Sequence, residues 1–422
     1  MACGDSVETL VKGGSSCCGN NQNLDIAEER YTDELAEQFA QETGAAARPK
    51  ETISEIDERG AFIRQPNAFI QPFGDKEGDL KADKDRFIVY WATGCNWSNR
   101  PLIAREILGL QDVIKDYRVD HTGKTNKYGW GFRNEEDFKD PTTGVYFLSQ
   151  LYHNANPDFK GRATTPTFAD YKEKKTVNND YHRLTNYIEV QFRPFQAPDA
   201  PDLYPKAYRK EIDQFNDWLF PHINNAHYRM AFCQSPEAHH EAFDDFYESL
   251  DKLEVRLSNN RFLFGDFITD SDIRAYVTLI RWDVSYYKNV GPTKHRIQDY
   301  PNIWGYVKEL NAIPAFHKYS DPAVLAASHA SKKQSLFADY NSRILAKENW
   351  AEVYKDDGSR AKLSNHPNEL YLRHPAGETY EEYASEISKT IWNSPSWEDR
   401  NPKNGVLDVD ASINPLKGKI DK

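Results

Sequence analysis

Residues 86–110 read RFIVYWATGCNWSNRPLIAREILGL, and this stretch decides the fold of the region around it. The apolar and β-branched run over residues 87–92 is short enough for a buried strand. A Thr-Gly pair then breaks the run, and from Pro101 the apolar residues recur with helical spacing. Because proline is tolerated best in the first turn of a helix, the spacing predicts a helix that starts near residues 97–98.

Cys95 lies between the predicted strand and the predicted helix. At a helix N-terminus the free N–H groups and the positive end of the helix dipole favour a thiolate over a thiol. A small buried cysteine that happens to precede a helix is the alternative interpretation. Ser98 stands where a dithiol motif carries its second cysteine. Serine forms no disulfide, so the pattern favours a reactive single thiol.

Composition excludes several classes of protein. The chain has 422 residues, 39% hydrophobic and 13% aromatic, which indicates two or three folded domains. A net charge of -12 argues against nucleic-acid binding, and no apolar run approaches the ~20 residues that span a membrane. The five cysteines do not suggest a disulfide framework, so we expect a protein of the reducing cytoplasm. We also expect no metal, because no cysteines or histidines have the spacing of a metal site. Adjacent Cys17 and Cys18 lack a second ligand pair at zinc-site spacing, which favours tail thiols.

The order of predicted elements around Cys95 is β-α-β, a long aromatic insert over residues 121–162, and then β-β-α. A proline, Pro166, enters the third strand. This order is typical of a thioredoxin-like domain, where a cis proline beside the active cysteine leaves the preceding backbone free for a peptide-like ligand. Thr165 supplies that backbone, and Asp180 is predicted to cap the following helix.

A proline-rich linker separates this α/β domain from a predicted all-α domain. The predicted parts are an N-terminal extension (1–59, partly disordered), a thioredoxin-like domain (60–195), a linker (196–204), a helical domain (205–330) and a C-terminal extension (331–422). Helical periodicity is found at residues 208–223, 237–258, 268–287, 304–310 and 325–349. One further helix is predicted at residues 380–392.

Several motifs occur in order along the chain. They begin with Cys95-Asn96-Trp97-Ser98-Asn99-Arg100 and continue with GWGF (129–132), GRATTP (161–166), VNND (177–180), DLYP (202–205), NNAHY (224–228), LFGD (263–266), DIR (272–274), LIRWD (279–283) and YPNIW (300–304). Across residues 60–330 the chain resembles the xi-class glutathione transferases, known as glutathionyl-hydroquinone reductases. In that family the nucleophile lies in a Cys-Pro-Trp-Ala-His-Arg motif.

The resemblance implies a glutathione transferase fold and a cysteine-dependent reductase that removes glutathione from glutathionyl-hydroquinones. Cys95 would form a mixed disulfide, which a second glutathione resolves. The resemblance also implies a homodimer. By the same match, Trp130 and the Thr165 backbone hold the thiol. Tyr204 and Tyr286, and more weakly Tyr228, line the quinol pocket.

The chain departs from the family at the thiol site. The family's γ-glutamyl anchor is Glu-Ser, and here it reads Asp180-Tyr181, while Asn96 replaces the proline after the nucleophile. Another low-molecular-weight thiol is therefore an alternative to glutathione. A general thioltransferase or an aromatic reductive dehalogenase that uses the same cysteine is a second hypothesis. A non-catalytic binding protein of the same fold is a third.

Overall fold

A computed structural model of the chain describes residues 30–49, 55–290, 293–330, 347–400, 410–412, 416–417 and 419–420. The predictions for residues 1–29, including the tail thiols Cys17 and Cys18, lie outside these ranges. No helix among the described residues is long and apolar enough to cross a membrane.

The first half of the chain forms an α/β domain around a four-stranded mixed sheet. Its elements are α1 (Asp33–Thr43), β1 (Phe87–Trp91), α2 (Asn96–Ile107), β2 (Ile114–Arg118), β3 (Asp120–His121), β4 (Trp130–Gly131), α3 (Leu148–Ala155), β5 (Thr167–Asp170), β6 (Lys175–Asn178) and α4 (Leu184–Val190). The strand order is β2-β1-β5-β6. Strand β1 runs parallel to β2 and antiparallel to β5. This is the predicted thioredoxin-like arrangement. The two central strands, β1 and β5, are buried along almost their whole length.

Helix α2 confirms the predicted strand–turn–helix unit but not its first residue. The helix begins at Asn96, with Cys95 as its N-cap residue, so Pro101 is the sixth helical residue rather than part of the first turn. One backbone hydrogen bond is therefore lost inside the helix. Burial compensates for this loss, because Leu102, Ile103 and Ala104 are fully buried in the core.

The second half is helical, as predicted. Its main elements are α5 (Arg209–Leu219), α6 (Ala226–Phe232), α7 (Pro236–Ser258), α8 (Asp270–Arg281), α9 (Pro301–Asn311), α10 (Pro314–Ser320) and α11 (Pro322–Ala330). The predicted helices at 208–223 and 268–287 each end in a π-helical turn, Phe220–Asn224 and Trp282–Tyr286. Such turns widen the backbone and re-aim side chains, and they are frequent at functional sites.

The C-terminal extension packs back onto both halves of the molecule. It contains the short helices α12 (Trp350–Val353), α13 (Tyr380–Tyr383) and α14 (Trp397–Arg400), and a 3₁₀ turn at Ile391–Asn393. The prediction of a helix at 380–392 is wrong beyond the first turn. The carbonyls of Glu382 and Tyr383 accept hydrogen bonds from Lys206 and Arg209 instead of continuing the helix. The helix predicted at 325–349 is described only to residue 330.

Candidate functional site

Cys95 lies in a turn that its own neighbours hold. Its N–H donates to the carbonyl of Ala92 over 3.0 Å. The hydroxyl of Ser98 donates to the Cys95 carbonyl over 3.0 Å and lies 3.3 Å from the Ala92 carbonyl. Ser98 is fully buried, whereas Cys95 is partly accessible. The serine therefore fixes the turn and leaves the thiol at the N-terminus of α2.

The loop that ends at Pro166 contacts the Cys95 thiol. The Thr165-Pro166 peptide bond is cis, as predicted. The Cys95 thiol donates to the Thr165 carbonyl over 3.3 Å. Within the described ranges no acceptor lies within hydrogen-bond reach of the Thr165 N–H. The backbone of Thr165 thus offers a donor beside the sulfur to a bound ligand.

An aromatic cluster lies next to Cys95. Its buried members are Trp97, Tyr181, Phe220 and Trp392, and Cys95, Tyr228 and Ile391 pack against them. The ring centroids of Trp97 and Tyr181 are 4.9 Å apart, and those of Trp97 and Phe220 are 5.5 Å apart. The π-helical turn that follows α5 thus places Phe220 in the cluster, and Tyr181 faces this cluster from the turn before α4.

Two tyrosine hydroxyls face the thiol from the helical domain. Tyr228 stacks on Trp97 at 5.7 Å, and its hydroxyl donates to the Asn96 side chain over 3.3 Å. Tyr286 is buried and stacks on His227 at 4.0 Å. Burial raises the pKa of both tyrosines, and the negative charge of a Cys95 thiolate raises it further. Both groups are therefore neutral phenols that can donate hydrogen bonds.

Two arginines give the site a positive charge. Arg64 lies 4.6 Å from the centroid of the Tyr228 ring and 5.1 Å from that of Trp97. Arg100 lies 4.7 Å from the centroid of the Trp97 ring and is buried. Burial, with repulsion from Arg274, lowers the pKa of Arg100 to about 9, so it is still a cation at neutral pH. The two guanidinium groups therefore lie on the Trp97 ring, which packs against Cys95.

Asp180 is buried at the turn before α4, where it does not form the predicted helix cap. The helix begins at Leu184, and the Asp180 carboxylate instead accepts from the His182 N–H over 3.1 Å. The Asn67 side chain lies 3.4 Å from the same oxygen. Burial raises the pKa of Asp180, and hydrogen bonds and the charge of Arg183 partly oppose that rise.

The structure brings Cys95, Thr165, Tyr181, Tyr228 and Tyr286 into one region. Trp130 and Tyr204 lie outside the aromatic cluster. Trp130 stacks on His121 at 4.5 Å in the β3–β4 hairpin. Tyr204 is buried, and its hydroxyl donates to Asp213 over 2.7 Å.

Sequence reasoning missed five residues of this region: Arg64, Asn67, Phe220, Trp392 and Asn393. No motif marks them, because each comes from a segment far from Cys95 along the chain. No group of His, Cys, Asp and Glu side chains suited to a metal ion is found among the described residues.

Sequence comparisons find relatives of this chain among the glutathione transferases. A family described as the glutathione S-transferase C-terminal domain matches residues 236–309. Glutathionyl-hydroquinone reductase YqjG of Escherichia coli is 35% identical over 266 residues, which cover 60% of this chain and 80% of the relative. Glutathionyl-hydroquinone reductase PcpF of Sphingobium chlorophenolicum is 32% identical and covers 60% and 79%.

Solved structures of glutathione transferases superpose on this chain. The glutathione S-transferase Xi of Phanerochaete chrysosporium superposes with a TM-score of 0.61 at 29% identity and covers 68% of this chain and 92% of its own. The glutathione-bound structure of E. coli YqjG superposes with a TM-score of 0.57 at 28% identity and covers 65% and 91%.

Proposed function

The chain belongs to the glutathionyl-hydroquinone reductases, the xi-class glutathione transferases, and we propose that it removes glutathione from glutathionyl-hydroquinones through a mixed disulfide at Cys95. The observation that carries the proposal is the position of Cys95 at the N-terminus of α2, with its sulfur 3.3 Å from the Thr165 carbonyl. At this position the free N–H groups and the positive end of the α2 dipole lie beside the sulfur, and Arg64 and Arg100 lie over the neighbouring Trp97 ring.

The proposed chemistry balances over two steps. The Cys95 thiolate attacks the glutathionyl sulfur, the sulfur–aryl bond breaks, and the aryl carbon takes the electron pair and a proton. The products are the free hydroquinone and the Cys95–glutathione disulfide. A second glutathione thiolate then attacks this disulfide, which releases oxidised glutathione and restores Cys95. The two sulfurs are oxidised and the aryl carbon is reduced.

Tyr228 and Tyr286 are the proposed groups for the hydroquinone. Both are neutral phenols because burial raises their pKa, so each can donate a hydrogen bond to a quinol oxygen or supply a proton on the side of the thiol. The ring centroids of Tyr228 and Tyr286 are 6.2 Å apart at an interplanar angle of 67°, so the two rings contact each other edge to face.

The proposed thiol site comprises the Thr165 backbone beside Pro166, the Asp180 carboxylate and the Tyr181 ring, with Trp130 as a contact expected from the resemblance. An Asp180 carboxylate can pair with the ammonium group of a γ-glutamyl moiety. The role of Tyr204 in the quinol pocket stays a prediction from the resemblance. Its hydroxyl donates a hydrogen bond to Asp213. A homodimer is likewise proposed from the resemblance, and a cytoplasmic location is proposed from the cysteine content of the chain.

The test is the intact mass of the protein after incubation with glutathionyl-menadiol or oxidised glutathione, with peptide mapping to locate the adduct. The expected result is one glutathione on Cys95 of the native chain and none at this position in Cys95→Ser. Release of free menadiol should accompany the adduct. Cys233→Ser is the matched control, because it removes the other cysteine in the described part of the chain without changing the site.

Each other outcome selects an alternative. An adduct from oxidised glutathione without release of menadiol would support a general thioltransferase. The absence of any adduct at Cys95 would favour a non-catalytic binding protein. If Cys95→Ser retained the release of menadiol, Cys95 would not be the nucleophile.

A further inference from the structure

The segment from residue 384 to 400, called the strap below, crosses the outer side of the proposed thiol site. The Ser388 hydroxyl donates to Asp213 over 2.5 Å, and the Thr390 hydroxyl lies 3.4 Å from Asp217, both on α5. At the other end, the Arg400 guanidinium donates to the Arg64 carbonyl over 2.6 Å. The strap is thus fixed at both ends, and residues 391–393 lie between these anchors.

Trp392 fills the space beside the aromatic cluster. Its ring lies 4.9 Å from that of Phe220, and 4% of its surface is exposed. The indole N–H has no hydrogen-bond acceptor among the described residues. Trp392 and Tyr181 also line one small cavity of about 10 Å³, which has room for about one water molecule. A peptide-sized group cannot enter this space while Trp392 is in place.

Asn393 occupies the polar side of the same space. Its side-chain oxygen accepts from the backbone N–H and the side chain of Asn67 over 3.2 and 3.0 Å. The Asn67 amide that donates to Asn393 also lies 3.4 Å from the Asp180 carboxylate, and the Asn393 side chain partly opposes the rise that burial causes in the pKa of that carboxyl group. The paired side chains of Asn67 and Asn393 therefore occupy the space beside Asp180, at the position proposed for the ammonium group of a γ-glutamyl moiety.

The strap is held less firmly than the core behind it. Between residues 384–394 and the α/β domain lies an open cleft of about 450 Å³, lined also by Asp75, Lys76, Arg183 and Tyr187. Apart from Trp392, Ile387 and Arg400, every strap residue whose burial is described is at least partly exposed. A segment with few buried contacts and a void beneath it opens at lower cost than a packed helix.

We infer that Trp392 and Asn393 are specificity-determining residues of the thiol site, and that glutathione reaches Cys95 only when it displaces them from Tyr181 and Asp180. The inference rests on the proposed function. Small thiols and disulfides that lack a γ-glutamyl group do not need this space and react with the strap in place. The strap therefore lowers the rate with glutathione relative to the rate with smaller thiols and disulfides, and Trp392 and Asn393 determine the size of this difference.

The experiment compares two disulfides on the full chain: oxidised glutathione and bis(2-hydroxyethyl) disulfide. Adduct formation at Cys95 is followed by acid quench and peptide mass. Asn393→Asp is the principal variant, since it keeps the shape and the acceptor for Asn67 but places a carboxylate against Asp180. We expect the rate with oxidised glutathione, relative to the small disulfide, to rise about tenfold, because like charges repel the strap. Trp392→Ala should change the ratio in the same direction.

Asn368→Ala is the control, an exposed asparagine in the same extension, and should leave the ratio unchanged. The inference is overturned if the ratio in Asn393→Asp stays at the native value or falls, since the strap would then be neutral or would hold glutathione. Loss of adduct with both disulfides in every chain, native included, would instead refute the proposed function and the inference with it. Because Asn393→Asp is isosteric, a folding defect in Trp392→Ala does not remove the test.

Discussion

At the scale of single residues, the site depends on one thiol and on the serine that holds its turn. The Ser98 hydroxyl bonds to the Cys95 carbonyl and contacts Ala92, so it stabilises the turn in which the sulfur lies. Both residues are local in sequence, and the motif that carries them is sufficient to mark Cys95 as the candidate nucleophile. Trp97 belongs to the same motif, whereas Phe220 and Trp392 come from other segments and could not be found in that way.

The first prediction concerns Ser98→Cys. A second thiol three residues after Cys95 provides a resolving group, so a glutathione adduct at Cys95 should convert to an internal disulfide between Cys95 and the introduced cysteine. We expect the native protein to retain the adduct after excess oxidised glutathione is removed, whereas Ser98→Cys loses both the adduct and two free thiols. Mass spectrometry with and without alkylation measures this. Ser98→Ala is the control, and retention of the adduct in Ser98→Cys would contradict the prediction.

The second prediction is a pH dependence at Asp180. Burial raises the pKa of this carboxyl group, while the Asn393 side chain, the His182 N–H and the charges of Arg183 and Arg274 oppose the rise. In the proposed thiol site the carboxylate binds the ammonium group of glutathione, and its raised pKa means that it is protonated at a higher pH than an ordinary aspartate. The affinity for glutathione should therefore fall as the pH decreases towards this raised pKa.

The measurement is calorimetric binding of S-methylglutathione to Cys95→Ser between pH 7 and pH 4.5, which avoids ionisation of either thiol. The additional substitution Asp180→Asn should weaken binding at pH 7 and flatten its pH profile. A profile that is equally steep with asparagine at this position would exclude Asp180 as the anchor.

At the scale of elements, the strand–turn–helix unit and the order of strands and helices around Cys95 could be predicted, because each signal lies within a short stretch of sequence. The strap could not. Periodicity predicts a helix at 380–392, but Lys206 and Arg209 bind the carbonyls of Glu382 and Tyr383, which ends the helix after one turn. Lys206 and Arg209 are more than 170 residues away along the chain. The local hydrophobic pattern therefore cannot predict these hydrogen bonds.

The loop before Pro166 provides a prediction at this scale. The Tyr152 hydroxyl on α3 lies 2.8 Å from Thr167 and 3.2 Å from both the N–H and the carbonyl of Thr164. Tyr152→Phe leaves these buried groups without a partner, which should cost about 1–3 kcal/mol of unfolding free energy. The Thr165 carbonyl next to this loop faces the thiol, so adduct formation at Cys95 should also slow.

Urea unfolding measures the first effect, and quenched adduct formation measures the second. Tyr287→Phe is a matched control, because it removes a hydroxyl from a half-buried tyrosine outside this loop. Unchanged stability in Tyr152→Phe would show that the loop does not depend on the hydroxyl.

At the scale of the whole molecule, buried charges join the two halves and couple stability to pH. His182 lies between the domains, and burial together with Arg100, Arg183, Arg274 and Arg64 lowers its pKa far below the ordinary value. The folded protein therefore keeps His182 neutral, whereas the unfolded chain binds a proton below a pKa of about 6.5. This contribution to stability is complete above that pH and is lost as the pH falls.

The expected difference follows from this linkage. Between pH 7.5 and pH 5.5 the native chain should lose about 1.4 kcal/mol more unfolding free energy than His182→Gln, because only the native chain gains that proton on unfolding. Urea unfolding of both proteins at the two pH values measures it. Equal losses would show that His182 is protonated in the folded state as well.

The last prediction tests whether the C-terminal extension is part of the folded core. The buried guanidinium of Arg360 donates to the carbonyls of Asn302, Leu257, Asn260 and Arg261 over 2.5–3.1 Å. It also lies 3.8 Å from Glu309 on α9. Arg360→Met keeps the length of the side chain but removes the charged donor of these four carbonyls, while Glu309 keeps its ion pair with Arg261. Because each buried hydrogen bond to a charged group contributes about 1.5–3 kcal/mol, we expect a loss of roughly 3–5 kcal/mol of unfolding free energy. Lys362→Met, two residues away and exposed, is the control and should unfold like the native chain.

Calorimetry should show one transition at a clearly lower temperature for Arg360→Met. If only a minor early transition moved, the extension would unfold independently of the core, and the strap would then be held only by its own contacts to α5, Arg64 and Asn67.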